Sequence, residues 1–108
     1  MKENNSQNLK MQEVVKEIVE KYNLETSIEL RYIDLVSEIG EVGKEILKSN
    51  NYGKKEFLKT DNIELEIGDA LFSLICISNS LNIDIYKALN DSIKKYEKRF
   101  EEKGNISS

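Results

Sequence analysis

The sequence predicts an all-α protein whose four helices pack in a bundle-like arrangement. Apolar residues recur at helical spacing in four long stretches, and polar turn sequences separate those stretches. The 108 residues include no proline and only five glycines, a composition that favours long helices. Because a chain of this length fits one hydrophobic core, we expect residues 1–108 to form a single domain.

The first two helices are predicted over residues 9–22 and 27–48. The first has an apolar stripe with charged residues on the opposite face: Leu9, Met11, Val14, Val15, Ile18, Val19 and Tyr22. The second begins where Thr26 and Glu29 have the spacing of a capping box. Residues 1–8 precede the pattern, and we expect them to be loose.

The third and fourth helices are predicted over residues 62–81 and 84–102. Asp61 and Asp84 stand at the positions where an N-cap would be needed. The fourth helix carries its own apolar stripe: Ile85, Ala88, Leu89, Ile93, Tyr96 and Phe100. The polar residues 103–108 are predicted to form a loose tail.

Composition and charge exclude several classes of function. A net charge of −4 and a pI near 5.0 give no positive field for nucleic acid or an anionic membrane, so we expect neither partner. The chain has no histidine, which excludes Ser-His-Asp chemistry and histidine-ligated metals. Its one cysteine, Cys76, lies in an apolar run and is predicted to be a buried thiol, which fits a reducing cytoplasm.

A pair of acidic residues occurs twice at the same spacing. Glu38 and Glu41 lie in the second predicted helix, and Glu66 and Asp69 lie in the third. Residues three apart in a helix share a face, so each pair presents two carboxylates on one side. If the two helices pack together, the four acids can converge on a cation, because carboxylate oxygens are the ligands that Mg²⁺ prefers.

Each acidic pair also encloses a glycine, Gly40 in the first and Gly68 in the second. A glycine inside a helix costs about 1 kcal/mol relative to alanine, so we expect each to allow a close backbone approach. Both pairs are predicted to border a buried apolar stripe: Leu35, Ile39, Val42 and Ile46 in the second helix, and Ile63, Ile67, Ala70, Leu74 and Leu81 in the third. A single acidic pair is ordinary on a solvated helix, but two matching copies favour a site.

Basic residues supply candidates for phosphate binding. Lys95 and Arg99 share a face of the fourth helix, although salt bridges with neighbouring glutamates are the competing interpretation. The loop between the second and third helices carries Lys54, Lys55 and Lys59, which either close over phosphates or belong to a solvated linker. Glu45, one turn after Glu41, is an additional candidate ligand or base.

The repeated acidic motif, with twenty-four residues between its copies, resembles the signature of the MazG-type nucleotide pyrophosphohydrolases. Residues 35–42 and 64–72 resemble the two acidic helices of the family, and residues 95–100 are similar to its last helix. The resemblance covers residues 27–100. The family often places a basic residue and an asparagine near the start of the last motif, where this chain has other residues: Asp91, Ser92, Ile93 and Tyr96.

The resemblance implies a nucleoside triphosphate pyrophosphatase that converts an NTP or dNTP to the monophosphate and pyrophosphate, in a nucleotide-cleansing or a signalling role. It implies Mg²⁺, or Mn²⁺, held by Glu38, Glu41, Glu66 and Asp69, with Glu38 or Glu41 orienting the attacking water. Lys95 and Arg99 would hold phosphate oxygens. The alternative from another class is a non-catalytic helical module that binds a metal or a protein.

We also expect a homodimer or a dimer-based homotetramer. Residues 71–77 are apolar except for Ser73, so that part of the third helix is hydrophobic nearly all round. Phe72 and Ile75 are predicted to find little to contact within their own chain, and a second copy would cover them. The family resemblance implies the same assembly.

Overall fold

Residues 2–103, which a computed structural model describes, form four helices: α1 (Lys2–Lys21), α2 (Ile28–Ser49), α3 (Asp61–Ser80) and α4 (Ile85–Lys103). The helix boundaries after α1 lie within one residue of those predicted, because turn residues punctuate the apolar periodicity. Residues 2–8 were expected to be loose, but they continue α1. Met1 and residues 104–108, for which the same expectation was made, lie outside the described residues. Within residues 2–103, none of the helices is both long enough and apolar enough to cross a membrane.

Side-chain caps fix where three of the helices begin. Ser27 accepts a hydrogen bond from the Leu30 amide at 3.2 Å, so the cap of α2 lies one residue after the predicted Thr26. The cap of α3 is Thr60 rather than Asp61, since the Thr60 hydroxyl accepts from the Ile63 amide. The cap predicted at Asp84 is confirmed by hydrogen bonds from the Tyr86 and Lys87 amides.

The antiparallel pair of α2 and α3 is the main packing unit of the chain. Residues 50–60 connect the two helices, and Ser49 Oγ donates to the Leu58 carbonyl at 2.6 Å across this connection. Such a connection places the first half of α3 against the second half of α2. The two acidic motifs therefore lie on helices in direct contact.

The core lies where α1 crosses the far half of α3. Val15, Ile75 and Cys76 form its buried centre, and Phe72 packs against them together with Val19 and Ile85. Ile75 is only 2% exposed. The expectation that Phe72 and Ile75 lack contacts in their own chain is therefore wrong, because α1 covers that face of α3.

Other apolar surfaces remain open. Within the described chain α2 has no fully buried residue, and Ile39 and Ile67 of the two predicted stripes are 56% and 55% exposed. Most of the apolar stripe of α4 is exposed as well, because α4 has few contacts with α1 and fewer with the α2/α3 pair. The expected stripes beside the acids thus exist, but of their residues one chain fully buries only Ile63, which is 6% exposed.

Candidate metal centre

Three of the four predicted acids meet between α2 and α3. Each of Glu38, Glu66 and Asp69 offers a carboxylate oxygen, and these oxygens lie within 4.8 Å of one another. Glu38 and Glu66 are partly buried and Asp69 is exposed, so the group lies at the surface of the helix pair and is open to solvent on one side. We call these three residues the acidic cluster.

The register of the helix pair explains why these residues meet. Glu45 of α2 accepts a hydrogen bond from the Thr60 hydroxyl at 3.0 Å, which ties the start of α3 to the end of α2. Counting back along α2 and forward along α3 from this hydrogen bond places Glu38 opposite Glu66 and Asp69. Two turns further on, the charge of Arg31 acts on Cys76. The faces of α2 and α3 that carry the acidic cluster therefore also carry Arg31 and Cys76.

Glu41 lies one turn from Glu38, on the exposed side of α2. Its carboxylate is not among the three that meet within 4.8 Å. Its charge nevertheless acts on Glu66, so it stands close to the cluster. Glu41 is placed to assist a site that the other three acids form.

The carboxylates of the acidic cluster repel one another, because no positive charge stands among them. Partial burial raises the pKa of Glu66 above its usual value, and repulsion from Glu41, Asp69, Glu38 and Glu45 raises that pKa further. Every charge acting on Glu66 is negative. A hard divalent cation with oxygen ligands would relieve this repulsion, so the donor set fits Mg²⁺ or Mn²⁺.

The glycines between the acids do not serve the purpose predicted for them. A Cβ atom built on Gly40 or on Gly68 meets nothing within 4 Å in this chain. Both residues face open space, and no neighbouring backbone approaches them. The expected close approach is wrong for the single chain.

The predicted basic residues lie apart from the acids. Lys95 Nζ lies 4.7 Å from the centre of the Tyr96 ring, and Arg99 Cζ lies 6.0 Å from it. Neither residue is among the charges that act on Glu66. The loop lysines, Lys54, Lys55 and Lys59, are all exposed. Among the side chains of residues 10–103, the ion pairs are Arg31 with Asp34 and Lys87 with Asp91, so the competing salt-bridge interpretation of Lys95 and Arg99 is not observed either.

Sequence reasoning missed two residues that act across the contact between α2 and α3. Thr60 caps α3 and also orients Glu45, and the signal for it was a threonine just before the predicted start of the helix. Arg31 lies seven residues before Glu38, an interval that returns to nearly the same face of a helix. That interval would have placed Arg31 on the same face of α2 as Glu38 from the sequence alone.

The reactivity of the Cys76 thiol tests whether Arg31 of α2 lies opposite Cys76 of α3. Burial raises the pKa of Cys76, Asp34 raises it further, and Arg31 lowers it. Because only the thiolate reacts, alkylation of wild-type Cys76 should keep accelerating above pH 9.0, the ordinary value for the group. Arg31→Gln should raise the pKa further and slow alkylation at a fixed pH of about 9. Lys44→Gln, an exposed cation elsewhere on α2, is the control, and an equal effect of both variants would contradict the register.

The chain belongs to the MazG nucleotide pyrophosphohydrolase domain family, whose pattern matches residues 27–103. The crystal structure of a Bacillus-conserved MazG protein, described as a nucleotide pyrophosphohydrolase, superimposes with a TM-score of 0.69 and 32% identity. That match covers 82% of this chain and 87% of the other. The uncharacterized protein YpjD of Bacillus subtilis (strain 168) is 37% identical over 68 residues, which are 60% of each chain. The predicted resemblance is confirmed, as is the all-α fold of four helices.

Proposed function

We propose that this protein is a metal-dependent nucleoside triphosphate pyrophosphohydrolase, which converts an NTP or dNTP to the monophosphate and pyrophosphate. The observation that carries the proposal is the acidic cluster, whose carboxylates meet on two of the three helices that the family match spans. A role in cleansing the nucleotide pool fits such an activity.

Glu38, Glu66 and Asp69 would hold Mg²⁺, or Mn²⁺ in its place, with Glu41 close by. When bound, the ion supplies positive charge that offsets the charge of the phosphates and of the departing pyrophosphate. The acids themselves set where the triphosphate can lie, because only the open side of the cluster admits it.

The remaining step is an in-line attack of water on the phosphorus next to the nucleoside. Water oxygen forms the new bond to phosphorus, the bond to the bridging oxygen breaks, and pyrophosphate leaves. Either Glu38 or Glu41 could orient the water and accept its proton, and Glu41 is the better placed, since it lies outside the group of three and is exposed. Glu45 is held by Thr60 and acts on Glu66, so we assign it a supporting role.

Lys95 and Arg99 remain candidates for holding phosphate oxygens. Neither is among the charges that act on Glu66, and α4 has few contacts with the other helices of its own chain. We propose that α4 of a second copy supplies these contacts, which ties the basic residues to the oligomeric state.

A nucleotide panel tests the proposal. The purified protein is incubated with each common NTP and dNTP, with Mg²⁺ or with EDTA, and pyrophosphate release is measured. We expect release with Mg²⁺ from at least one nucleotide and none with EDTA. If a folded protein that binds Mg²⁺ releases no pyrophosphate from any common or modified nucleotide, a non-catalytic module would be favoured instead.

Binding of the ion should be visible without any turnover. Millimolar Mg²⁺ should raise the thermal midpoint, because an ion that binds only the folded protein stabilises it by mass action. The quadruple alanine variant at Glu38, Glu41, Glu66 and Asp69 should show a much smaller shift, and EDTA should reverse the shift in the wild type. If both proteins shift equally, the ion binds elsewhere.

A further inference from the structure

One hydrogen bond joins the connection between α2 and α3 to the acidic face of α2. Thr60 Oγ1 donates to Glu45 Oε1 at 3.0 Å and accepts from the Ile63 amide at 3.2 Å. A hydroxyl has a single hydrogen and the Ile63 amide is itself a donor, so that hydrogen is directed at Glu45. When Glu45 is ionised, such a bond is stronger than one between two neutral groups.

Glu45 lies on the same face of α2 as Glu38. The two residues are seven apart, which is about two turns and about 10 Å along the helix. Both are partly buried, whereas Glu41 between them is exposed. The charge of Glu45 acts on Glu66, so Glu45 adds to the negative field of the acidic cluster without being one of the three acids that meet.

The Thr60 hydroxyl restricts where the Glu45 carboxylate can lie. A glutamate side chain has several rotatable bonds, and repulsion from the neighbouring acids favours rotamers that turn the carboxylate out into solvent. The bond from Thr60 opposes that rotation, and Thr60 is itself held by the first turn of α3. A negative charge is therefore kept beside the acidic cluster, where it attracts a divalent cation.

A second helix cap shows what Thr60 does beyond capping. Ser27 caps α2 by accepting from the Leu30 amide at 3.2 Å, the same length as the bond from Ile63 to Thr60. Among the side chains of residues 10–103, however, no carboxylate accepts a hydrogen bond from Ser27. Capping thus accounts for the bond that Thr60 accepts and leaves the bond that it donates to Glu45 without a purpose of its own.

We propose that Thr60 is a positioning residue of the candidate metal centre, which acts by holding the Glu45 carboxylate towards the acidic cluster. The role of this contact in hydrolysis rests on the proposed function. Glu45 contributes the charge, and Thr60 contributes the position of that charge. The last residue of the connection between α2 and α3 therefore helps to set how tightly the centre holds a divalent cation.

Binding of Mn²⁺, followed by the electron paramagnetic resonance signal of the free ion, tests the proposal without turnover. Thr60→Val removes the hydroxyl at nearly constant shape and should weaken Mn²⁺ binding about tenfold, the lower end of the effect of groups that support metal ligands. Thr60→Ser keeps both bonds and should bind Mn²⁺ as the wild type does. Ser27→Ala is the matched control, because it also loses a cap and should lower the thermal midpoint without changing Mn²⁺ binding. Wild-type affinity in Thr60→Val, or an equal loss in Ser27→Ala, would overturn the proposal.

Glu45→Ala gives a second test that leaves the cap of α3 in place. It should weaken Mn²⁺ binding at least as much as Thr60→Val does, and adding Thr60→Val to it should cause no further loss, because Thr60 acts only through Glu45. Losses that add in the double variant would show that Thr60 acts by another route. Wild-type affinity in Glu45→Ala would also contradict the proposal, even if Thr60→Val failed to fold.

The dependence of hydrolysis on Mg²⁺ separates this proposal from the proposed function. We expect Thr60→Val to need about ten times more Mg²⁺ for half-maximal hydrolysis and to recover most of its turnover at saturating Mg²⁺. Weakened Mn²⁺ binding in Thr60→Val, with no hydrolysis of any nucleotide by the wild type, would support the positioning role and refute the hydrolase. Hydrolysis by the wild type with unchanged Mn²⁺ binding in both Thr60→Val and Glu45→Ala would do the reverse.

Discussion

Replacing Asp69 with alanine, or Glu41 with glutamine, is expected to lower nucleotide hydrolysis about a hundredfold or more without unfolding the protein. Asp69 supplies one of the three carboxylates that meet within 4.8 Å, and loss of a ligand disrupts the metal site. Changes in groups that merely support metal ligands already cost about 10- to 100-fold in metal affinity or activity. Glu41→Gln removes the carboxylate proposed to accept the proton of the attacking water.

The same substitutions should leave the metal-free protein as stable as the wild type or more so. The charges of Asp69 and Glu41 both raise the pKa of Glu66, which means that the ionised acids repel one another in the folded protein. Above the ordinary glutamate pKa of 4.5, ionisation therefore disfavours the folded state, and removal of one acid relieves that effect. The gain over the wild type should be present at neutral pH and disappear as the pH falls through the raised pKa towards 4.5.

Turnover and the thermal midpoint in EDTA are measured for each variant. Glu64→Gln is the matched control, because Glu64 lies two residues before Glu66 on the exposed first turn of α3 and outside the cluster. It should keep wild-type turnover. An Asp69→Ala protein that retained most of its turnover would remove Asp69 from the site.

The protein is expected to sediment at two or more times its chain mass of 12.5 kDa. The surface that we expect a second copy to cover is the apolar stripe of Ile67, Leu71 and Leu74 on α3, together with Ile39 on α2. These side chains are 55%, 41%, 41% and 56% exposed in the single chain. A contiguous exposed apolar surface of this kind is typical of an interface, and two-fold pairing is the commonest way for identical chains to cover one.

A charge in the stripe should separate the copies. Leu74→Lys would place an unpaired cation in the interface, so we expect it to shift sedimentation towards the monomer. Val14→Lys, which introduces the same charge at a side chain 47% exposed on α1, is the control. A folded, active wild-type monomer would contradict the assembly.

The activity of mixed variants tests whether the assembly supplies the proposed phosphate contacts. If α4 of one copy completes the site of the other, Arg99→Gln and Asp69→Ala should each be impaired alone. Mixing the two variants under conditions that exchange subunits should then restore part of the activity. No recovery after verified exchange would remove Arg99 from this role.

The sequence was sufficient for the bounds of α2, α3 and α4 and for the three acids that meet, because both depend on local spacing. Periodicity located the four helices, and the repeated acidic pair identified the residues that meet between α2 and α3. The cap of α3 could not be chosen from the sequence alone, since Thr60 is favoured over Asp61 by its contact with Glu45 on another helix. Local patterns do not carry that information.

The same limit explains the errors about burial. Residues 71–77 are apolar nearly all round, so periodicity could not tell which side meets α1 and which side stays open. The structure buries Ile75 and leaves Leu71 and Leu74 exposed. A cavity beside Cys76 escaped prediction for a related reason, because five separate parts of the chain contribute to its lining: α1, the turn before α2, the first turn of α2, α3 and the turn before α4.

The most direct test of the proposed activity is the identity of its products. Wild-type protein with Mg²⁺ and its best nucleotide is followed by chromatography of the nucleotides and by separate assays for pyrophosphate and orthophosphate. We expect the monophosphate and pyrophosphate in equal amounts, with no diphosphate intermediate and no orthophosphate. Release of the diphosphate and orthophosphate would contradict attack at the phosphorus next to the nucleoside, and with it the role assigned to the acidic cluster.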